Sequence, residues 1–130
     1  MLTLKQVFES LPPAQPSTIR VIRVESKTMH TMGVASSAAL ADKFLSKWWE
    51  LPTPQAEGLG EGWPSRGWVC AAHAHTFHEW FSGSLAETLA ICEQEGYHIV
   101  ILDVPKGMYR VGSKQAVIDR HASVVQMVLQ

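Results

Sequence analysis

Three of the chain's six histidines fall in a single hexapeptide, His73-Ala74-His75-Thr76-Phe77-His78. Imidazoles at this spacing point to zinc chemistry. On a helix, His75 and His78 share a face, and His73 can reach in from the end of the preceding segment. The pattern stops short of a complete site, because His78-Glu79 runs into Trp80-Phe81 and not into a His-Glu-x-x-His arrangement. No bound metal is expected, and these histidines are read as helix-capping or surface groups.

Nucleophilic catalysis requires a nucleophile, a base and a group that orients the base. Cys70, the histidines, Asp103 and Asp119 supply the residue types. Cys70, however, stands between Val69 and Ala71 in an apolar run and reads as a core thiol. Asp103 and Asp119 are the types a paired-carboxylate hydrolase uses, but nothing else in the sequence favours that chemistry. Gly58, Gly60 and Gly62 lack both the following lysine and the strand-turn-helix setting of a phosphate-binding loop.

Arg23 is the most informative polar residue. A guanidinium on a rigid strand can clamp a pyrophosphate bidentately. It can equally pair with Glu25 or extend along its own stem to water. Arg20, Arg23, Lys27, Lys106, Arg110 and Lys114 form two local basic groups that a fold could bring together, which suits a small anionic ligand better than a duplex. Eleven basic against twelve acidic residues give a formal charge of −1. Bulk charge therefore draws the protein neither to nucleic acid nor to anionic membranes. Of the tryptophans, Trp80 and one of Trp48 and Trp49 fit core stripes. The other member of that pair, together with Trp63, is a candidate partner anchor, with Trp49, Trp63, Arg20 and Arg110 forming the expected partner-binding set.

The elements that must position these groups can be read from periodicity. Leu4, Val7, Phe8 and Leu11 make the apolar stripe of a helix within residues 2–11, ended by Pro12, Pro13 and Pro16. Ile19 to Glu25 is a β-branched strand. Both of its faces are mixed, so alternation alone does not tell which one meets the core. A loop near Gly33 leads to a helix from Ser36 or Ser37 to about Trp49. Residues 52–67 then form a long irregular loop.

Trp68 to Ala72 reads as a short strand. A helical region from about Thr76 to Glu95 is divided at Ser82-Gly83-Ser84, with Ser84 as cap, Glu87 at the capping-box position and Gly96 as terminator. His98 to Val104 is apolar enough to lie centrally in a sheet. Pro105 to Gly112 reads as a connection, and Gln115 to Arg120 and Ser123 to Leu129 as strands.

With 130 residues, 46% of them hydrophobic, the chain is expected to form one domain over 1–130. Two cysteines are too few to staple a secreted scaffold, and the N-terminal segment has neither signal- nor transit-peptide character, so a cytoplasmic location is expected. No run approaches the roughly 18 apolar residues of a membrane span.

Several short motifs in order resemble a group of small bacterial and phage proteins. They are Arg23-Val24-Glu25, Gly33, Gly58 to Gly62, Val69-Cys70, Trp80-Phe81, Ile99 to Pro105 and Gln115 to Asp119. The arrangement also resembles a reduced ADP-ribosyltransferase fold, a split antiparallel sheet that grips NAD. The resemblance implies an α+β fold, with a small split, mostly antiparallel sheet packed with three to four helices. It places the dinucleotide-binding residue at Arg23, the Ser-x-Ser type motif at Cys70-Ala71-Ala72 and the catalytic glutamate at Gln115. His73 and His75 are candidate cofactor contacts beside them. Alanines and a glutamine at those positions remove the hydroxyls and the negative charge that the reaction uses. The expectation is thus a phage or mobile-element accessory protein that binds and inhibits a host macromolecule, a protein in the first instance, without catalysis or cofactor. An NAD-dependent transferase with a degenerate site is the alternative, and a homodimer paired through Ser123 to Leu129 is a further candidate.

Overall fold

A computed structural model describes residues 3–26, 56–59, 68–81 and 84–129. The expected helix up to Trp49, the Gly33 loop, Trp49 and Trp63 lie outside the described residues, as does the 52–67 stretch apart from 56–59.

Helix α1 (Leu4–Ser10) starts at Thr3 through a reciprocal capping box. The Gln6 N–H donates to Thr3 Oγ1 at 3.2 Å, and the Thr3 N–H donates to Gln6 Oε1 at 2.9 Å. Leu4 and Val7 are buried, with Phe8 and Leu11 packed beside them. Strand β1 (Ile19–Ser26) follows, then β2 (Trp68–His73), the short helix α2 (Phe77–Trp80) and helix α3 (Leu85–Glu95). Ser84 Oγ accepts from the Glu87 N–H at 3.2 Å at the start of α3, and Gly96 ends it with φ of 77°, where a Cβ would be strained. The chain finishes with β3 (Tyr97–Val104), β4 (Tyr109–Val111), β5 (Gln115–Asp119) and β6 (Val124–Leu129).

The strands form one antiparallel sheet in the order β4-β5-β2-β1-β3-β6. The expected split is present only as a narrow junction: β1 pairs with β3 at eight positions but with β2 at two, Val21↔His73 and Ile22↔Ala72. One expected connection is corrected. Residues 105–112 contain β4, because the turn closed by Met108 N–H to Pro105 O at 3.1 Å sends the chain back alongside β5 for three residues.

Each face of the sheet carries its own apolar cluster. Ile22, Val24, Cys70, Ala72, Ile99, Ile101 and Val117 pack with Leu4, Val7, Phe77, Leu85 and Cys92 from the three helices and with Phe81, which caps α2. Val21, Val69, Ala71, Val100, Leu102, Val104, Ala116 and Ile118 form the second cluster on the opposite face. The parity of β1 assigns Arg23 and Glu25 to this second face, since Arg23 is paired with Val100. Among the described residues, no helix is long and apolar enough to cross a membrane.

Candidate functional site

The largest fully buried side chain in the described structure belongs to Arg23, and Glu25 beside it is equally enclosed. Two residues apart on one strand, they share a face. Arg23 Nε donates to Glu25 Oε2 at 2.9 Å, and Arg23 Nη1 donates to the Cys70 carbonyl at 2.6 Å. From the far end of β5, Arg120 completes the cluster, donating from Nε to Glu25 Oε2 at 2.9 Å and from Nη2 to Glu25 Oε1 at 3.1 Å. Its side chain retains 16% exposure.

Burial lowers the Arg23 pKa from its ordinary value, and the charge and hydrogen bond of Glu25 work against that shift. One carboxylate thus holds two guanidinium groups in a low-dielectric setting, where loss of a partner is expensive. Cys70 provides a carbonyl to this network, but its thiol lies in the helix-side cluster. Burial pushes that thiol up to about 11, with Arg23 opposing the shift, and pushes Cys92 up to about 12. Neither is a thiolate near neutrality, which agrees with the reading of Cys70 as a core residue.

A second polar cluster fixes the turn between β4 and β5. Glu57 Oε1 accepts from Ser113 Oγ and from the Lys114 N–H, both at 2.8 Å. The Lys114 carbonyl accepts from Thr76 Oγ1 at 2.9 Å and from Trp80 Nε1 at 2.6 Å, while Lys114 Nζ reaches Glu79 at 2.6 Å. His73 Nε2 lies 2.7 Å from the Gly112 carbonyl oxygen. Glu57 Oε2 is buried and makes no hydrogen bond. Nothing in the sequence marks Glu57, because a lone carboxylate in a Gly- and Pro-rich stretch has no periodic neighbour to announce it.

The residues to which the resemblance gives dinucleotide-binding and catalytic roles are not all brought together. Gln115 is paired with Ala72, which is paired with Ile22, so Gln115 belongs to the helix side of the sheet and Arg23 to the other. Both are buried. His73 shares the Val21 side and stacks on His75, with ring centroids 5.2 Å apart. His73 is buried and bonded to backbone, so it is neither a surface group nor a helix cap, whereas His75 and His78 are exposed. Among the described residues, no three His, Cys, Asp or Glu side chains are grouped to hold a metal.

Arg20 forms a bidentate pair with Asp103, Nε to Oδ1 at 2.6 Å and Nη2 to Oδ2 at 2.9 Å, and the hydrogen bond raises its pKa. Arg110 lies half-buried on β4, opposite Val117. Asp119 is also engaged, its Oδ1 accepting from the His121 and Ala122 N–H groups. An open groove of about 560 Å³ lies between α1 and the β2–α2 turn, lined by Leu4, Lys5, Phe8, Glu9, Ala74, His75 and His78.

Comparison with curated proteins and with solved structures finds no match for the chain. The family described as Bacteriophage T4 Y00F protein matches residues 19–129, from the first strand to the last, and the chain belongs to that family.

Proposed function

We propose that the chain is a phage accessory protein that acts in the infected host's cytoplasm by binding and inhibiting a host protein, without catalysis. The observation that carries this reading is the engagement of Arg23, whose guanidinium is enclosed and bonded to Glu25 and to the Cys70 carbonyl, with Gln115 on the opposite face of the sheet. The groups that an ADP-ribosyl transfer would use thus serve the fold. The groove between α1 and the β2–α2 turn supplies a surface of a different kind, apolar at Leu4, Phe8 and Ala74 and rimmed by Lys5, Glu9 and two imidazoles. An apolar floor with a mixed-charge rim suits a protein surface better than a phosphate backbone.

Affinity capture of the tagged full chain from host cells, identified by mass spectrometry, tests the reading. One host protein is expected in near-stoichiometric amount, and a Lys5→Glu/His78→Glu variant is expected to recover several-fold less. Absence of any host protein above the untagged control would overturn the function. Undiminished capture by the variant would overturn the surface.

One observation favours an NAD-dependent ADP-ribosyltransferase with a degenerate site. The sheet narrows to two paired positions between β1 and β2, and Arg23 stands at that junction. This second reading expects calorimetric heat on titration with NAD that Arg23→Lys abolishes. A titration without heat above buffer sinks it.

A further inference from the structure

Among the described residues, the sheet ends in two edges that are built differently. Strand β4 spans three residues with Arg110 at its centre, the brevity and charge that keep an edge from recruiting another strand. Strand β6 spans six residues, Val-Val-Gln-Met-Val-Leu, with no charge and no proline. Val124, Val125 and Val128 on it are 58%, 46% and 43% exposed. Its one irregularity is a bulge: Ile101 is paired with Met127 and Leu102 with Val125, which leaves Gln126 as the extra residue.

That bulge makes the strand symmetric. With Gln126 set aside, the five positions in register with β3 run Val124, Val125, Met127, Val128, Leu129. Val125 and Val128 lie opposite Leu102 and Val100 of the second-face cluster, while Met127 and Leu129 lie opposite Ile101 and Ile99 of the helix-side cluster. Faces alternate along these positions, so Val124 belongs with Met127 and Leu129. A two-fold axis normal to the sheet keeps each face on its own side. Placed through Met127, it sets Val125 against Val128 of a second copy, Val124 against Leu129, and Met127 against itself. Every opposed pair is apolar and lies on a matching face, and no like charges meet. A strand without the bulge would pair Val125 with Val128 only across opposite faces.

We infer that β6 pairs antiparallel with β6 of a second copy of this chain about a two-fold axis at Met127, joining the two sheets into one. The occupant is a second copy because the strand is its own complement in this register. Cross-strand apolar pairs supply the side-chain contacts, and the ladder satisfies the outer backbone groups of both edges. This association is independent of the groove proposed for a host protein, which lies by α1.

Sedimentation of the full chain is expected to show a dimer. Val125→Lys would place two ammonium groups against valines across the axis, so dimer affinity is expected to fall roughly ten-fold or more. The thermal transition extrapolated to low concentration should stay within a few degrees of wild type. Met127→Cys is expected to give a reducible covalent dimer on mild oxidation, because the substituted position faces its own copy; Cys70 and Cys92 are buried. Val111→Cys on the opposite edge should give none. A wild-type monomer at the highest soluble concentration overturns the inference, as does a dimer indifferent to Val125→Lys. Cross-linking of Val111→Cys in place of Met127→Cys would overturn the register and the edge together.

Discussion

Arg23 Nη1 lies 2.6 Å from the carbonyl oxygen of Cys70, just beyond the last position at which β1 and β2 are paired. Where the ladder ends, a carbonyl on β2 would otherwise face a protein interior without a donor. The guanidinium takes over from the backbone there, and Glu25 and Arg120 hold it in place. The buried ion cluster and the narrowing of the sheet are thus one feature.

Replacing Arg23 by Met should remove both that donor and a counter-charge of Glu25. A cost of about 3–5 kcal/mol is expected, as for one partner lost from a buried ion network. Replacing Glu25 by Leu in the same chain should recover part of it, because Arg120 is near enough to solvent to turn outward. Urea unfolding of the two single variants and the double variant gives the coupling directly. Additive costs would mean that Arg23 and Glu25 do not act as a pair.

Much of the local structure was legible in the sequence. The β-branched run at Ile19, the Ser84 cap with Glu87, and Gly96 as terminator each depend on neighbours within a few residues, and each is found in place. What was not legible depends on register. The mixed faces of β1 gave no sign of whether Arg23 points inward, since a buried arginine and a surface one produce the same alternation. Glu25 is two residues away and visible as a partner, but Arg120 is 95 residues from Glu25. Gln115 could be aligned with a catalytic position along the chain, yet its face is set by pairing through Ala72 to Ile22. Strand β4 leaves no trace in the pattern, because three residues are too few to show a period.

The two thiols make alkaline pH destabilising. Burial raises Cys70 to about 11 and Cys92 to about 12, from an ordinary 9.0, so the folded state keeps protons that the unfolded state gives up. Their stabilising contribution is complete below pH 9.0 and is lost as pH rises through the folded values. Cys92→Ala is expected to flatten the fall in melting temperature above pH 9.0, although the variant starts lower because of the cavity. Parallel melting curves for variant and wild type across that range would contradict this. A thiol reagent at pH 8 should label neither cysteine until the protein unfolds.

Gly112 is required for lack of a side chain. A Cβ there would stand 2.6 Å from Glu57 Oε2 and 2.9 Å from Leu59 Cδ1. Gly112→Ala should therefore push the Glu57 carboxylate off Ser113 and Lys114, at a cost of about 1–3 kcal/mol. Glu57→Ala should cost a similar amount by leaving the Lys114 N–H without its acceptor. In the Glu57→Ala background, Gly112→Ala should be much cheaper, because the clash with the carboxylate has gone. Denaturant midpoints of the four proteins decide this. An undiminished cost in the double variant would place the strain elsewhere, with Leu59 as the remaining neighbour.

Arg20 belongs to the partner-binding set that the sequence suggests, but the structure engages it with Asp103. Both side chains are largely enclosed, 12% and 13% exposed, and both guanidinium-to-carboxylate bonds are short. The pair joins β1 to β3 directly across the ladder, so it should serve stability more than recognition. Arg20→Lys keeps the charge but cannot reproduce the two-point contact. It is expected to cost about 1–2 kcal/mol in thermal or urea unfolding. Capture of a host protein, measured well below the melting temperature, should be unchanged in the same variant. Loss of capture with full stability would instead assign the guanidinium to the partner, and Asp103→Asn would then be expected to strengthen binding by releasing it.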